Sequence, residues 1–239
     1  MKIVFDILRR ETPEGEPFRQ KISYETKDER ETVATALTRI NDAAQSGAGI
    51  CDTEGNRVTP VRWEAGCLQK KCGACAMVIN GRPRLACDAF LKEFKKGKVT
   101  LEPLSKFPVV ADLLVDRSIM RENLKILQVW SSEAVSVKEK RVADAYDASS
   151  CLQCGCCLEV CPNFFAGGDF LGAAGFVPNA RLLLEASKEE RSRVKAAYEK
   201  HIHAGCGKSL ACENICPAGI DIRRLLSRSN ALALWRNHG

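Results

Sequence analysis

No stretch of this 239-residue chain approaches the ~18 to 20 apolar residues that a membrane-spanning helix requires, so a soluble or at most peripheral protein is expected. The N-terminus has no uninterrupted apolar segment, because Asp6, Arg9 and Arg10 break it, and no secretory leader is expected. Neither a P-loop, nor a G-x-G-x-x-G, nor a Ser/His/Asp constellation emerges, which leaves the chain without a substrate-binding signature of its own. Low-complexity tracts are also lacking. The length suggests one or two domains, each with its own core.

Cysteine is abundant instead. Of 13 cysteines, most fall into three spaced groups: Cys67/Cys72/Cys75/Cys87, Cys151/Cys154/Cys157/Cys161 and Cys206/Cys212/Cys216. Disulfide scaffolds belong mostly to small secreted domains, and an odd cysteine count in a long chain without a leader favours metal. The first group reads C-x4-C-x2-C with a distant fourth cysteine, the plant-type [2Fe-2S] spacing. The second reads C-x2-C-x2-C-x3-C-P, the bacterial ferredoxin run. Two cluster styles in one chain imply an electron wire. Zinc is the alternative at the first group, although the x4 spacing and an adjacent Asn-Gly hairpin fit it poorly.

The net charge of +6, with a basic run at Lys92, Lys95, Lys96 and Lys98, resembles a nucleic-acid or phospholipid signature. That count takes the thiols as neutral. Three clusters at roughly −2 each, when oxidised, would bring the balance to about zero. An offset for the clusters or a solvated face is therefore preferred over a nucleic-acid site.

The fold class expected is α+β, with an N-terminal β-grasp [2Fe-2S] ferredoxin-like domain over 1–107 and an all-α bacterial-ferredoxin-like domain over 108–239. Lys2–Leu8 and Phe18–Tyr24 read as a hairpin. Val33, Ala36, Leu37 and Ile40 mark an amphipathic helix within 31–44. Ala76–Ile79 and Arg84–Cys87 flank the tight-turn pair Asn80-Gly81, and 100–104 reads as one more strand. From Asp112 onward the pattern becomes helical, with no further strand. Ser187-x-x-Glu190 is a capping box ahead of the face Val194, Ala197, Tyr198, His201 and Ile202, and Asp221 is an N-cap for a last helix.

In two-cluster ferredoxins the last cysteine of each run ligates the other cluster. Applied here, Cys151, Cys154 and Cys157 take Cys216 to complete a [4Fe-4S] site, while Cys206 and Cys212 take Cys161. The position that should supply the remaining thiolate is Ser209. A serine alkoxide is far less available at neutral pH than a thiolate, so the expected product is [3Fe-4S], at fairly high potential. Cys51 and Cys156 are expected to be buried inert thiols. His201 and His203 are read as structural or surface residues, and Trp63 and Trp130 as packing.

These residues resemble the iron–sulfur subunit of succinate dehydrogenase/fumarate reductase. The matching stretches are Cys72-Gly73-Ala74-Cys75, 80–87, 101–104, 112–116, 151–162 and 206–217. The resemblance implies a flavoprotein partner carrying FAD and the dicarboxylate site, and one or more membrane anchors carrying quinone and, in some arrangements, haem. It also implies a peripheral location on the cytoplasmic side of the membrane. The Cys67–Cys87 cluster would face the flavin, the Cys151/Cys154/Cys157/Cys216 cluster would lie midway, and the Cys161/Cys206/Cys212 cluster would face quinone. Departures are Leu68-Gln69-Lys70-Lys71 in place of a glycine-containing loop, Asn163, Phe164, Phe165 and Ala166 after Cys161-Pro162, and Gly205 in place of a basic residue. No quinone-site residue is carried over. Alternatives are the same wire serving a thiol-linked fumarate reductase or a glycerol-3-phosphate or glycolate dehydrogenase, a stand-alone carrier, and a zinc module.

Overall fold

Strand β1, Lys2–Arg9, organises the first half of the chain, with Ile3, Phe5 and Ile7 essentially inaccessible to solvent. In the computed structural model, which describes residues 1–131 and 138–235, β1 pairs antiparallel with β2, Phe18–Glu25, from Lys2↔Glu25 to Arg9↔Phe18. Its other edge pairs in parallel with β5, Lys98–Glu102, and β5 pairs antiparallel with β3, Ala76–Ile79. Strand β4, Arg82–Leu85, completes the order β2-β1-β5-β3-β4. Helix α1, Val33–Gln45, buries the expected Val33, Ala36, Leu37 and Ile40, each contributing about 1.5–3 kcal/mol for the larger side chains. Thr32 caps it by accepting from the Thr35 amide at 3.3 Å.

Asn80 and Gly81 join β3 to β4 with φ of 50° and 74°, the pair of left-handed residues a tight hairpin turn demands. Strand β4 stops at Leu85, two residues earlier than the sequence pattern suggests. The Ala86 amide still reaches the Cys75 carbonyl at 3.0 Å, and the chain then tightens into a 3-10 turn over Ala86–Asp88 that holds Cys87.

The chain divides into two compact units, Met1–Asp116 and Arg117 onward. The first runs on past the boundary expected at 107, and 109–115 forms a two-stranded hairpin, β6 (Val109–Ala111) with β7 (Leu114–Val115), the second strand lying where the sequence pattern from Asp112 onward predicted helix. Asp112 is the cause. It sits at φ 47°, outside helical space, and its carboxylate is committed to β1 and its surroundings. Oδ1 accepts from Arg9 Nε at 2.9 Å and the Arg10 amide at 3.0 Å, while Oδ2 accepts from the Arg62 amide at 2.8 Å.

In the second unit, among the described residues, all regular structure is helical: α2 (Ser118–Leu127), α3 (Glu139–Ser149), α4 (Cys156–Glu159), α5 (Gly172–Glu185), α6 (Lys188–Tyr198) and α7 (Ile222–Ala233). Helix α5 is apolar nearly all round and packs against α2, α3, α6 and α7. Ser187 accepts from the Glu190 amide and Asp221 from the Arg224 amide, as their spacing predicts. A π-helical turn, Glu199–His203, extends α6 and delivers the chain to Cys206, whose amide bonds the Ile202 carbonyl at 3.1 Å. Trp130, expected to pack, is 55% exposed.

Candidate iron–sulfur sites

The 66–75 loop has no regular structure, and its backbone amides turn inward onto sulfur. Gln69 and Lys71 donate to Cys67 Sγ at 3.3 and 3.2 Å, Lys70 donates to Cys87 Sγ at 3.3 Å, and Cys67 donates to Cys72 Sγ at 3.4 Å. Leu68 and Lys70 reach this geometry at φ 54° and 59°, a left-handed conformation that glycine adopts at less cost. The two amides, Gln69 first, hold the Cys67 thiol down to about 7, whereas burial pushes Cys75 up to about 12. Cys75 also interacts with Cys87 and Cys72, so the first group of four is gathered at one place. Gly66 is closely packed there: a Cβ would stand 2.9 Å from Cys72 Sγ, so that side chain would have to shift to admit one.

Two pockets open in the helical unit. One, of about 380 Å³ with its mouth, is lined by Cys151, Cys154, Cys157 and Cys216. The other, about 460 Å³, is lined by Cys161, Cys206, Ser209 and Cys212. The remaining walls are mostly apolar, and Ala173 and Ile222 contribute to both pockets. Ser209 stands between Lys208 and Leu210 at φ 56° and 55°, a local path that turns this position onto the pocket. Burial pushes the Cys157 thiol well up although part of the residue reaches the surface, and raises Cys212 to about 11 with Cys161 adding to it. Burial of this kind disfavours the bare thiolates of Cys157 and Cys212, and positive charge bound between the sulfurs would hold them ionised. Among the described residues, no three His, Cys, Asp or Glu side chains are spaced for a single metal ion. A cluster interposes its own iron and sulfide between thiolates and sets a wider spacing.

Some functional neighbours carry no sequence signal. Gln153 Nε2 donates to Cys151 Sγ at 3.1 Å, and Arg117 Nη1 donates to the Cys154 carbonyl at 3.2 Å. Only the position of Gln153 inside a C-x2-C pair could have flagged it. Cys156 is fully buried, as expected, and its thiol hydrogen-bonds Cys154, which holds Cys154 down to about 7. Cys51 is exposed, contrary to expectation, because it lies on an irregular stretch paired to Arg57 by an isolated bridge. His201 places Nδ1 3.1 Å from the Asp169 carbonyl and lines neither pocket. Gly205 is dictated by Phe170: a Cβ would lie 2.5 Å from the Phe170 Cβ, leaving no room for a side chain unless Phe170 moves.

Residues 4–122 match the 2Fe-2S iron-sulfur cluster binding domain family, and 147–220 the 4Fe-4S dicluster domain family. The succinate dehydrogenase iron-sulfur subunit of Bacillus subtilis (strain 168) is 33% identical over 251 residues, spanning 98% of this chain and 95% of that protein. The chain belongs to the succinate dehydrogenase/fumarate reductase iron–sulfur subunit family. The fumarate reductase iron-sulfur subunit of Wolinella succinogenes is 31% identical over 66% of this chain and 71% of its own. In fold, a chain of the Mycobacterium smegmatis Sdh1 complex in the apo form superposes with a TM-score of 0.74 over 100% of this chain and 99% of its own, at 21% identity. Family membership makes this an electron-transfer subunit of an oxidoreductase, built as two ferredoxin-like domains in series. Among the described residues, no helix is long and apolar enough to cross a membrane.

Proposed function

We propose that the chain passes electrons through three clusters between an FAD-bearing succinate/fumarate flavoprotein and a quinone site in a membrane anchor, as a peripheral subunit at the cytoplasmic face. Cys67, Cys72, Cys75 and Cys87 would hold the [2Fe-2S] cluster on a β-grasp domain, a reading supported by the strand order β2-β1-β5-β3-β4 with its parallel β1–β5 pair. Cys151, Cys154, Cys157 and Cys216 would hold [4Fe-4S], and Cys161, Cys206 and Cys212 would hold [3Fe-4S]. The observation that carries this reading is the convergence of each trio or quartet on one loop or pocket, including the exchange of Cys216 and Cys161 between the two runs.

When bound, the clusters supply one-electron chemistry. The chain's own part is to bind and tune. Amide donors of the 66–75 loop stabilise charge on Cys67 and Cys87, apolar pocket walls exclude water, and Ser209 occupies a corner where a fourth thiolate would stand. Low-temperature EPR of anaerobic native membranes, recorded oxidised, after succinate and after dithionite, tests the reading. A three-iron signal that disappears with succinate while a [2Fe-2S] signal grows is expected. Signals that respond only to dithionite or another donor would reassign the partner flavoprotein.

A further inference from the structure

Helix α5 contains Pro178, which has no amide hydrogen, so the carbonyl four residues earlier, Ala174, loses its helical partner. A buried carbonyl without a donor is costly. Gln153 supplies the missing donor: its Nε2 lies 3.0 Å from the Ala174 carbonyl oxygen. The same Nε2 lies 3.1 Å from Cys151 Sγ. Both neighbours are acceptors, so the amide orientation is fixed with its NH2 group between them, one hydrogen for each. The backbone at Gln153 is left-handed, φ 50°, which throws the side chain back over the cysteine two residues earlier.

We infer that Gln153, anchored on the carbonyl that Pro178 frees, is a positioning residue that raises the reduction potential of the cluster held by Cys151, Cys154, Cys157 and Cys216. This rests on the ligand assignment proposed above. Reduction adds negative charge to the cluster and its sulfurs, and a hydrogen bond to a ligand sulfur stabilises the reduced state more than the oxidised one. Because the Ala174 carbonyl takes the other hydrogen, the donor does not have to be reoriented when the charge changes.

The test is an EPR-monitored redox titration of the complex in membranes, comparing wild type with Gln153→Leu and Gln153→Met. Each removes the donor while keeping bulk. The midpoint of the [4Fe-4S] signal is expected to fall by about the equivalent of a tenfold change in the oxidised-to-reduced ratio, ~59 mV for a one-electron couple, with the other two clusters unmoved. Unchanged midpoints in both variants would overturn the inference, as would loss of the cluster from both, which would make Gln153 an assembly residue. A second measurement needs no variant: electron–nuclear double resonance on the reduced wild-type cluster, with glutamine side-chain nitrogen labelled with 15N, should show a coupled nitrogen. Its absence would also overturn the inference. No four-iron signal in the wild type would instead defeat the ligand assignment itself.

Discussion

Arg9 and Asp112, 103 positions apart in the sequence, form an ion pair at 2.9 Å with both side chains 2% exposed. Arg9 also reaches Thr59 Oγ1 at 3.1 Å and the Pro60 carbonyl at 3.3 Å, while Asp112 is saturated by two backbone amides. The pair therefore stitches β1, the 59–62 segment and the β6–β7 turn together. Removing one partner strands a buried charge, which costs about 3–5 kcal/mol. Asp112→Ala should lower the stability of the N-terminal unit by that amount in denaturant unfolding followed through the [2Fe-2S] absorbance, with little effect on unfolding of the helical unit.

Ser209 lines the pocket shared by Cys161, Cys206 and Cys212. A thiol there would complete a fourth corner. Ser209→Cys is expected to add one iron per chain and to abolish the oxidised three-iron EPR signal, replacing it with a four-iron signal seen on reduction. An unchanged spectrum would remove Ser209 from the corner.

Gly205 has its Cβ position filled by Phe170. Gly205→Ala should overpack this contact, at a cost of about 1–3 kcal/mol, and displace the strap that leads into Cys206. The readout is loss or broadening of the three-iron signal with the [2Fe-2S] signal retained.

Tyr24 donates its hydroxyl to Glu31, and its pKa is raised from 10.0 to about 12, by burial first and by that hydrogen bond second. The neutral phenol is thus favoured in the folded state. Its contribution to stability is full below the unfolded value near 10, declines as the unfolded chain ionises, and is lost as pH passes the folded value near 12. Tyr24→Phe should flatten this part of the alkaline stability profile. The check is the unfolding midpoint of both proteins between pH 9 and 12.5, scanned at constant salt.

Much of the site was legible because cluster ligation leaves its mark in local spacing. The four cysteines of the first group, the two runs and the odd serine at 209 all follow from counting along the chain. The helix starts at Ser187 and Asp221 were legible for the same reason, since a cap bonds residues three positions away. What escaped depends on contacts distant in sequence. Nothing near Asp112 announces that Arg9 waits for it, so the stretch looked helical and the first unit seemed to end early. Gln153 became meaningful only once α5 brought the carbonyl freed by Pro178 to it. The exposure of Cys51 and Trp130 likewise depends on how their segments meet the rest of the fold.

Ala173 and Ile222 face two pockets at once. In engineering terms they are a party wall: a partition with no thickness to spare, so a change of bulk on either residue is felt by both tenants. The two centres of the helical unit cannot be adjusted independently through these positions, and variants at Ala173 or Ile222 should move both potentials together.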